Sequence, residues 1–330
     1  MNSDTALHHS RPGRQGFTVP VRRFVSCVTR VLQSLWLVAT LTWSLALNAQ
    51  QNSDQGVLIM AHGGTPEWNQ GVLDTIASLH TEHTVEVAFG MADALSIQDA
   101  VSRLEARGAR SIAVVRLFIS GESWYDRTAQ ILGLQEGAPV RPATADHTNH
   151  VGHGAAGAMP HRMEFWRIDT QSRFALSQPG LAEAPQMSEV LVSRAQSLSQ
   201  NPAGEDVLIL AHGPDTDAEN ARWLAFIDAR AQSVRDALPF PRVQVATLRE
   251  DWQDKRVEAE RQIRAFVAQT SAEGRTALVI PYRVHGFGPY AEVLEGLDYR
   301  ADATGLIPHP GVTQWIEEQI AVLRAQLQDG

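Results

Sequence analysis

Four residues at the ends of apolar runs have the types and spacing for metal and proton chemistry: His62, His212, His285 and Glu250. His62 and His212 follow Val57–Ala61 and Val207–Ala211, and each precedes a glycine, which lets the backbone turn tightly toward a ligand. His285 ends a later apolar run and again precedes glycine, while Glu250 follows Val243–Leu248. Neutral imidazole suits Co2+, Ni2+, Fe2+ and Zn2+, and two imidazoles with a carboxylate leave coordination positions for a substrate. We therefore expect His212, His285 and Glu250 to hold one divalent ion, with His62 as a further catalytic group. The alternative for any single one is a hydrogen-bonded histidine at a strand end, or a solvated loop carboxylate beside Glu205, Asp206 and Asp251. It is weakest for His212 with His285, since two separate strands deliver the same residue type to one edge. His147, His150 and His153, with His161 beyond, form a second metal candidate in a glycine-rich stretch that has no helical spacing.

The elements that must position these groups come as two copies. Val57-Leu58-Ile59-Met60-Ala61-His62-Gly63 and Val207-Leu208-Ile209-Leu210-Ala211-His212-Gly213 agree at six of seven positions. Val85–Ala88 answers Val243–Ala246, and Arg110–Leu117 answers Arg275–Tyr282, which sets Ser120 opposite His285. Continuous apolar runs are the signature of parallel strands covered on both faces. Helical spacing follows each: Trp68, Val72, Ile76 and Leu79, then Trp223, Phe226, Ile227, Ala231 and Val234. The fold expected is α/β, with two similar lobes, each a parallel sheet flanked by helices. We divide the chain into an export signal over 1–49, a first lobe over 50–134, a His-rich linker and connecting segment over 135–187 and a second lobe over 188–330. Glu164–Ile168 is expected as a strand, Met187–Leu198 as a helix completing the first lobe, and Val312–Leu327 as the last helix.

Of 330 residues, 44% are hydrophobic and 20% charged, which excludes disorder and a polytopic membrane protein. The net charge of −9 divides into +4 over residues 1–49 and −13 over the rest, where Lys255 is the single lysine; nucleic acid is excluded as a partner. The one cysteine, Cys27, rules out a disulfide framework or thiolate cage. Arg22 and Arg23 before the apolar Val31–Leu47 and the small Ala49 have the layout of an export signal, so a periplasmic protein free of the membrane after processing is expected. An uncleaved anchor and a misassigned start remain the alternatives.

Ala61-His62-Gly63-Gly64-Thr65-Pro66-Glu67-Trp68-Asn69, with Val85–Phe89 and Gly108–Val115, resembles the class II tetrapyrrole chelatases, and among them the tandem-repeat sirohydrochlorin cobaltochelatases. The resemblance extends over residues 56–134 and 205–328. It implies insertion of a divalent metal, cobalt before nickel or iron, into a tetrapyrrole such as sirohydrochlorin, with no organic cofactor. It also implies metal ligation by His212 and His285, with Glu250 as the acidic residue after the second strand. Where the family type implies another histidine after the first lobe's third strand, this chain has Ser120-Gly121-Glu122. A chelatase-fold protein that binds metal or tetrapyrrole without turnover is the competing reading. An octacarboxylate substrate is awkward for a body of charge −13 unless Arg116, Arg249 or Arg283 makes a local positive rim.

Overall fold

A computed structural model describes residues 54–142 and 163–329. The export-signal stretch and histidines 147, 150, 153 and 161 lie outside the described residues. Two four-stranded sheets, all parallel, carry the fold. The first holds β1 (Gln55–Ala61), β2 (Thr84–Phe89), β3 (Ser111–Leu117) and β4 (Arg173–Leu176) in the order β2-β1-β3-β4. The second holds β5 (Glu205–Ala211), β6 (Arg242–Thr247), β7 (Thr276–Tyr282) and β8 (Tyr299–Ala301) in the order β6-β5-β7-β8. The registers match: Ala61 lies opposite Phe89 and Leu117, as Ala211 lies opposite Thr247 and Tyr282.

Every residue of β1, β3 and β5 is buried, because helices cover both faces; this is why these strands read as unbroken apolar runs. The helices are α1 (Pro66–Ile76), α2 (Ala94–Ala106), α3 (Tyr125–Ile131), α4 (Met187–Leu198), α5 (Asp217–Ala237), α6 (Gln253–Ala272), α7 (Tyr290–Val293) and α8 (Pro310–Asp329). Side-chain caps fix the entries of three: Thr65 accepts from the Trp68 amide, Asp93 from Ser96 and Thr216 from Glu219.

Alternate residues of the central strands feed different cores. Val57, Ile59 and Ala61 join Val207, Ile209 and Ala211 in one core shared by both sheets, whereas Leu58 and Met60, and Leu208 and Leu210, point into separate outer cores. The shared core is sealed by an exchange of helices. Helix α4 packs on α5 and β7 instead of completing the first lobe as expected, and α8 packs on β3 and β4. Both carry an apolar stripe, and a stripe does not specify which sheet it covers. The strand expected at Glu164–Ile168 is absent apart from a single bridge between Arg167 and Val140. The Glu164 carbonyl accepts from the Ala94 amide at the start of α2, and the Ile168 amide donates to Ile131, so this backbone is satisfied without a sheet. The fourth strand is β4, inside the connecting segment.

Candidate functional site

The turns after β1 and β5 set the site. Gly63 and Gly213 adopt φ of +80° and +81°, the left-handed region that admits glycine without strain. At Gly213 a Cβ would also stand 2.7 Å from the Thr247 Cβ. Each preceding histidine is pinned to its own turn: Nδ1 lies 2.8 Å from the Gly63 carbonyl in His62 and 2.7 Å from the Gly213 carbonyl in His212. A carbonyl only accepts, so Nδ1 donates and the neutral ring carries its lone pair on Nε2, the nitrogen suited to a ligand or base.

His212 Nε2 faces two carboxylates, at 3.2 Å from Asp251 Oδ2 and 3.7 Å from Glu250 Oε2. Trp252 stands edge-on to the same imidazole, with ring centroids 6.0 Å apart. Glu250 is largely buried and its other oxygen is ion-paired to Arg283, which lies over the Tyr290 ring at 5.6 Å. Glu250 and Asp251 thus face the same nitrogen of His212, and of the two only Asp251 lines the cavity.

His285 is held across the lobes. Its ring sits edge-on to Trp68 of α1 at 6.5 Å, and Trp68 is 6.4 Å from His62, so one indole separates the two imidazoles. Burial draws the His285 pKa below its ordinary value, which favours the neutral ring. His285 also borders a second, smaller groove on α1 beside Glu67 and Asp74.

His62, His212 and His285 line one cavity of about 870 Å³ together with Trp68, Trp124 and Trp252. Its size is at the upper end of small-molecule sites, and flat aromatic walls suit a planar macrocycle. Trp124 adopts φ of +60°, a costly conformation for a bulky residue, at the start of α3 on the cavity wall. The cavity brings together three of the four residues expected from sequence, and Glu250 lies beside His212, outside the lining. Among the described residues, no group of three or more His, Cys, Asp or Glu side chains is arranged to hold a metal ion as it stands. Asp251, Trp252 and Trp68 were missed; the signal available was their adjacency to Glu250 and their place six residues after His62.

The three arginines do not make a positive rim. Arg116 is buried and donates to the carbonyls of Ser177, Ser123, Gly121 and Gln178, tying two loops together; burial pulls its pKa down to about 10. Arg249 donates to the Pro214 and Asp215 carbonyls and pairs with Asp217 at 3.1 Å. Arg283 alone of the three lines the cavity, and it is bound to Glu250.

Comparison with known proteins places the sequence and the fold. The family model described as CbiX matches residues 56–198. A sirohydrochlorin cobaltochelatase from Methanothermobacter thermautotrophicus is 32% identical over 95 residues, spanning 28% of this chain and 66% of that enzyme. In fold, the chain resembles the sirohydrochlorin chelatase SirB from Bacillus subtilis subspecies spizizenii in complex with cobalt and SirB from Bacillus subtilis with Fe3+. Each has a TM-score of 0.52, covering 81% of this chain and 94% of theirs, at 12% and 13% identity. The multi-domain DR2241 from Deinococcus radiodurans is matched over 55% of its length, with a TM-score of 0.47 and 17% identity over 83% of this chain. With the matched sequence blocks, the paired parallel sheets and the histidines at equivalent strand ends, the chain belongs to the class II chelatase family.

Proposed function

We propose that the protein inserts a divalent metal, cobalt before nickel or iron, into a tetrapyrrole. The observation that carries this reading is the environment of His212. Its Nε2 lone pair and the carboxylates of Asp251 and Glu250 are all acceptors, turned toward one another at 3.2 and 3.7 Å. Such a focus is stabilised by a cation, and it opens on a cavity wide enough for a macrocycle. Here the metal is a substrate. His212, His285 and Asp251 are its proposed ligands at the cavity, and Glu250, held by Arg283, steadies the charge behind them.

Insertion requires the incoming ion to lose water and the macrocycle to lose two pyrrole protons. Imidazole and carboxylate ligands replace the water. His62 is placed to accept the protons in turn and release them to solvent, since its imidazole stands at the cavity wall across Trp68 from His285, and neutral imidazole is the base suited to near-neutral pH. The walls of Trp68, Trp124 and Trp252 orient the ring, so that positioning supplies part of the rate.

The test is turnover: purified protein with Co2+ and saturating sirohydrochlorin, followed by absorption. Metallation should occur, and His212→Ala should lower kcat by about a hundredfold or more. Retained Co2+ binding with no metallation would favour the second reading, a binding protein of chelatase fold, for which Ser120 in the place equivalent to His285 is the supporting feature. We further propose that the chain is exported to the periplasm by residues 1–49.

A further inference from the structure

We infer that the tetrapyrrole taken by this cavity carries few peripheral carboxylates, well below the eight of sirohydrochlorin. The inference rests on the proposed function and concerns which member of the substrate class fits. Glu122, Asp126, Asp215, Glu219 and Asp251 line the cavity, against Arg283 as the one cationic lining residue among those described. Arg283 is neutralised by Glu250. The other two cations near the strand ends, Arg116 and Arg249, have their guanidiniums committed to backbone carbonyls that shape the neighbouring loops.

Part of the negative charge is compensated at the mouth. Arg222 of α5 grips Glu122 with two hydrogen bonds of 2.7 and 2.6 Å, and Lys255 stands 3.6 Å from Asp215. Neither cation lines the cavity, and each is spent on a carboxylate that does. At Glu219 burial, and then the nearby Glu122, push the carboxyl above its ordinary pKa. Residues 143–162, which complete the body of the chain, contain Asp146 and Arg162 as their only Asp, Glu, Lys or Arg and add no net charge.

A potential of this sign concentrates the metal cation and repels a polyanion. The macrocycle itself is apolar and finds aromatic walls in Trp68, Trp124, Trp252 and Trp223.

The experiment measures binding of metal-free porphyrins with two, four and eight carboxylates to the purified protein by tryptophan quenching. At about 0.01 M ionic strength the two-carboxylate porphyrin should bind at least about tenfold tighter than the eight-carboxylate one, and at about 1 M the gap should close, because salt screens the repulsion. Glu219→Gln with Asp126→Asn should narrow it at low salt. Equal binding of all three at low salt, or tightest binding of the eight-carboxylate ring, would overturn the inference while leaving the chelatase reading intact. Failure of every porphyrin to bind would instead overturn the proposed function and this inference with it.

Discussion

Ser120 and His285 occupy the same place in the two lobes, three residues past the ends of β3 and β7 and each followed by glycine. The strand registers make the equivalence a structural one, since Leu117 and Tyr282 pair with the matching residues Ala61 and Ala211. One lobe thus offers an imidazole where the other offers a buried hydroxyl that accepts from the Glu122 amide.

The asymmetry has a measurable consequence. A hydroxyl is a poor ligand for a borderline transition metal, so His285→Ser should weaken Co2+ binding by about a hundredfold in calorimetry. The reverse change should not create a second site: Ser120 is 5% exposed, and the added ring of Ser120→His should cost about 1–3 kcal/mol in thermal unfolding. A Co2+ affinity unchanged in His285→Ser would remove this residue from the ligand set.

Gly71 lies inside α1, where glycine weakens a helix, and the reason for it is His285. A Cβ there would stand 2.7 Å from the His285 Cδ2. Gly71→Ala should therefore lower stability by about 1–3 kcal/mol through overpacking. In a His285→Ala background the same change should raise stability by about 0.5–1 kcal/mol, the ordinary gain of Ala over Gly in a helix. Equal effects in both backgrounds would show that the imidazole does not rest on Gly71.

Much of this was legible in sequence because the repeat is local. The near-identical strands ending at His62 and His212 form the same turn with the same histidine-to-glycine hydrogen bond. What escaped depends on long-range partners. Asp251 reads as one solvated loop carboxylate among several until His212 is placed 3.2 Å away. Arg116 reads as a rim cation until Gln178 and Ser177, sixty residues on, consume its donors. Helices α4 and α8 show their stripes but not their exchange between sheets, and the Glu164–Ile168 run has strand-like residues whose backbone bonds go to helix ends.

The acid limb of stability should belong to Asp206. This carboxylate is fully buried at the start of β5; burial raises its pKa, but hydrogen bonds from Arg242, Arg275 and Thr270 more than offset that and leave it lowered. A depressed pKa contributes stability above the unfolded value of about 3.9, and the contribution is lost as pH falls through the folded value. Asp206→Asn should cost about 3 kcal/mol at pH 7, the low end for a broken buried pair because both guanidiniums reach solvent. It should also flatten the stability curve below about pH 4. Parallel curves for variant and parent would contradict the assignment.

Export is tested by intact mass. Protein recovered from its native host should lack residues 1–49 if the Arg-bearing start, the apolar run and Ala49 are the processing signal proposed above. A mass equal to the full chain would contradict cleavage.

The central claim is that one metal ion sits between His212 and His285 in the cavity, and anomalous diffraction at the cobalt edge from crystals grown with Co2+ tests it most directly. The account predicts a single strong peak at about 2.0–2.2 Å from an imidazole nitrogen of each of these residues, with Asp251 alongside. A peak on His147, His150 or His153, with the cavity histidines unliganded, would contradict it.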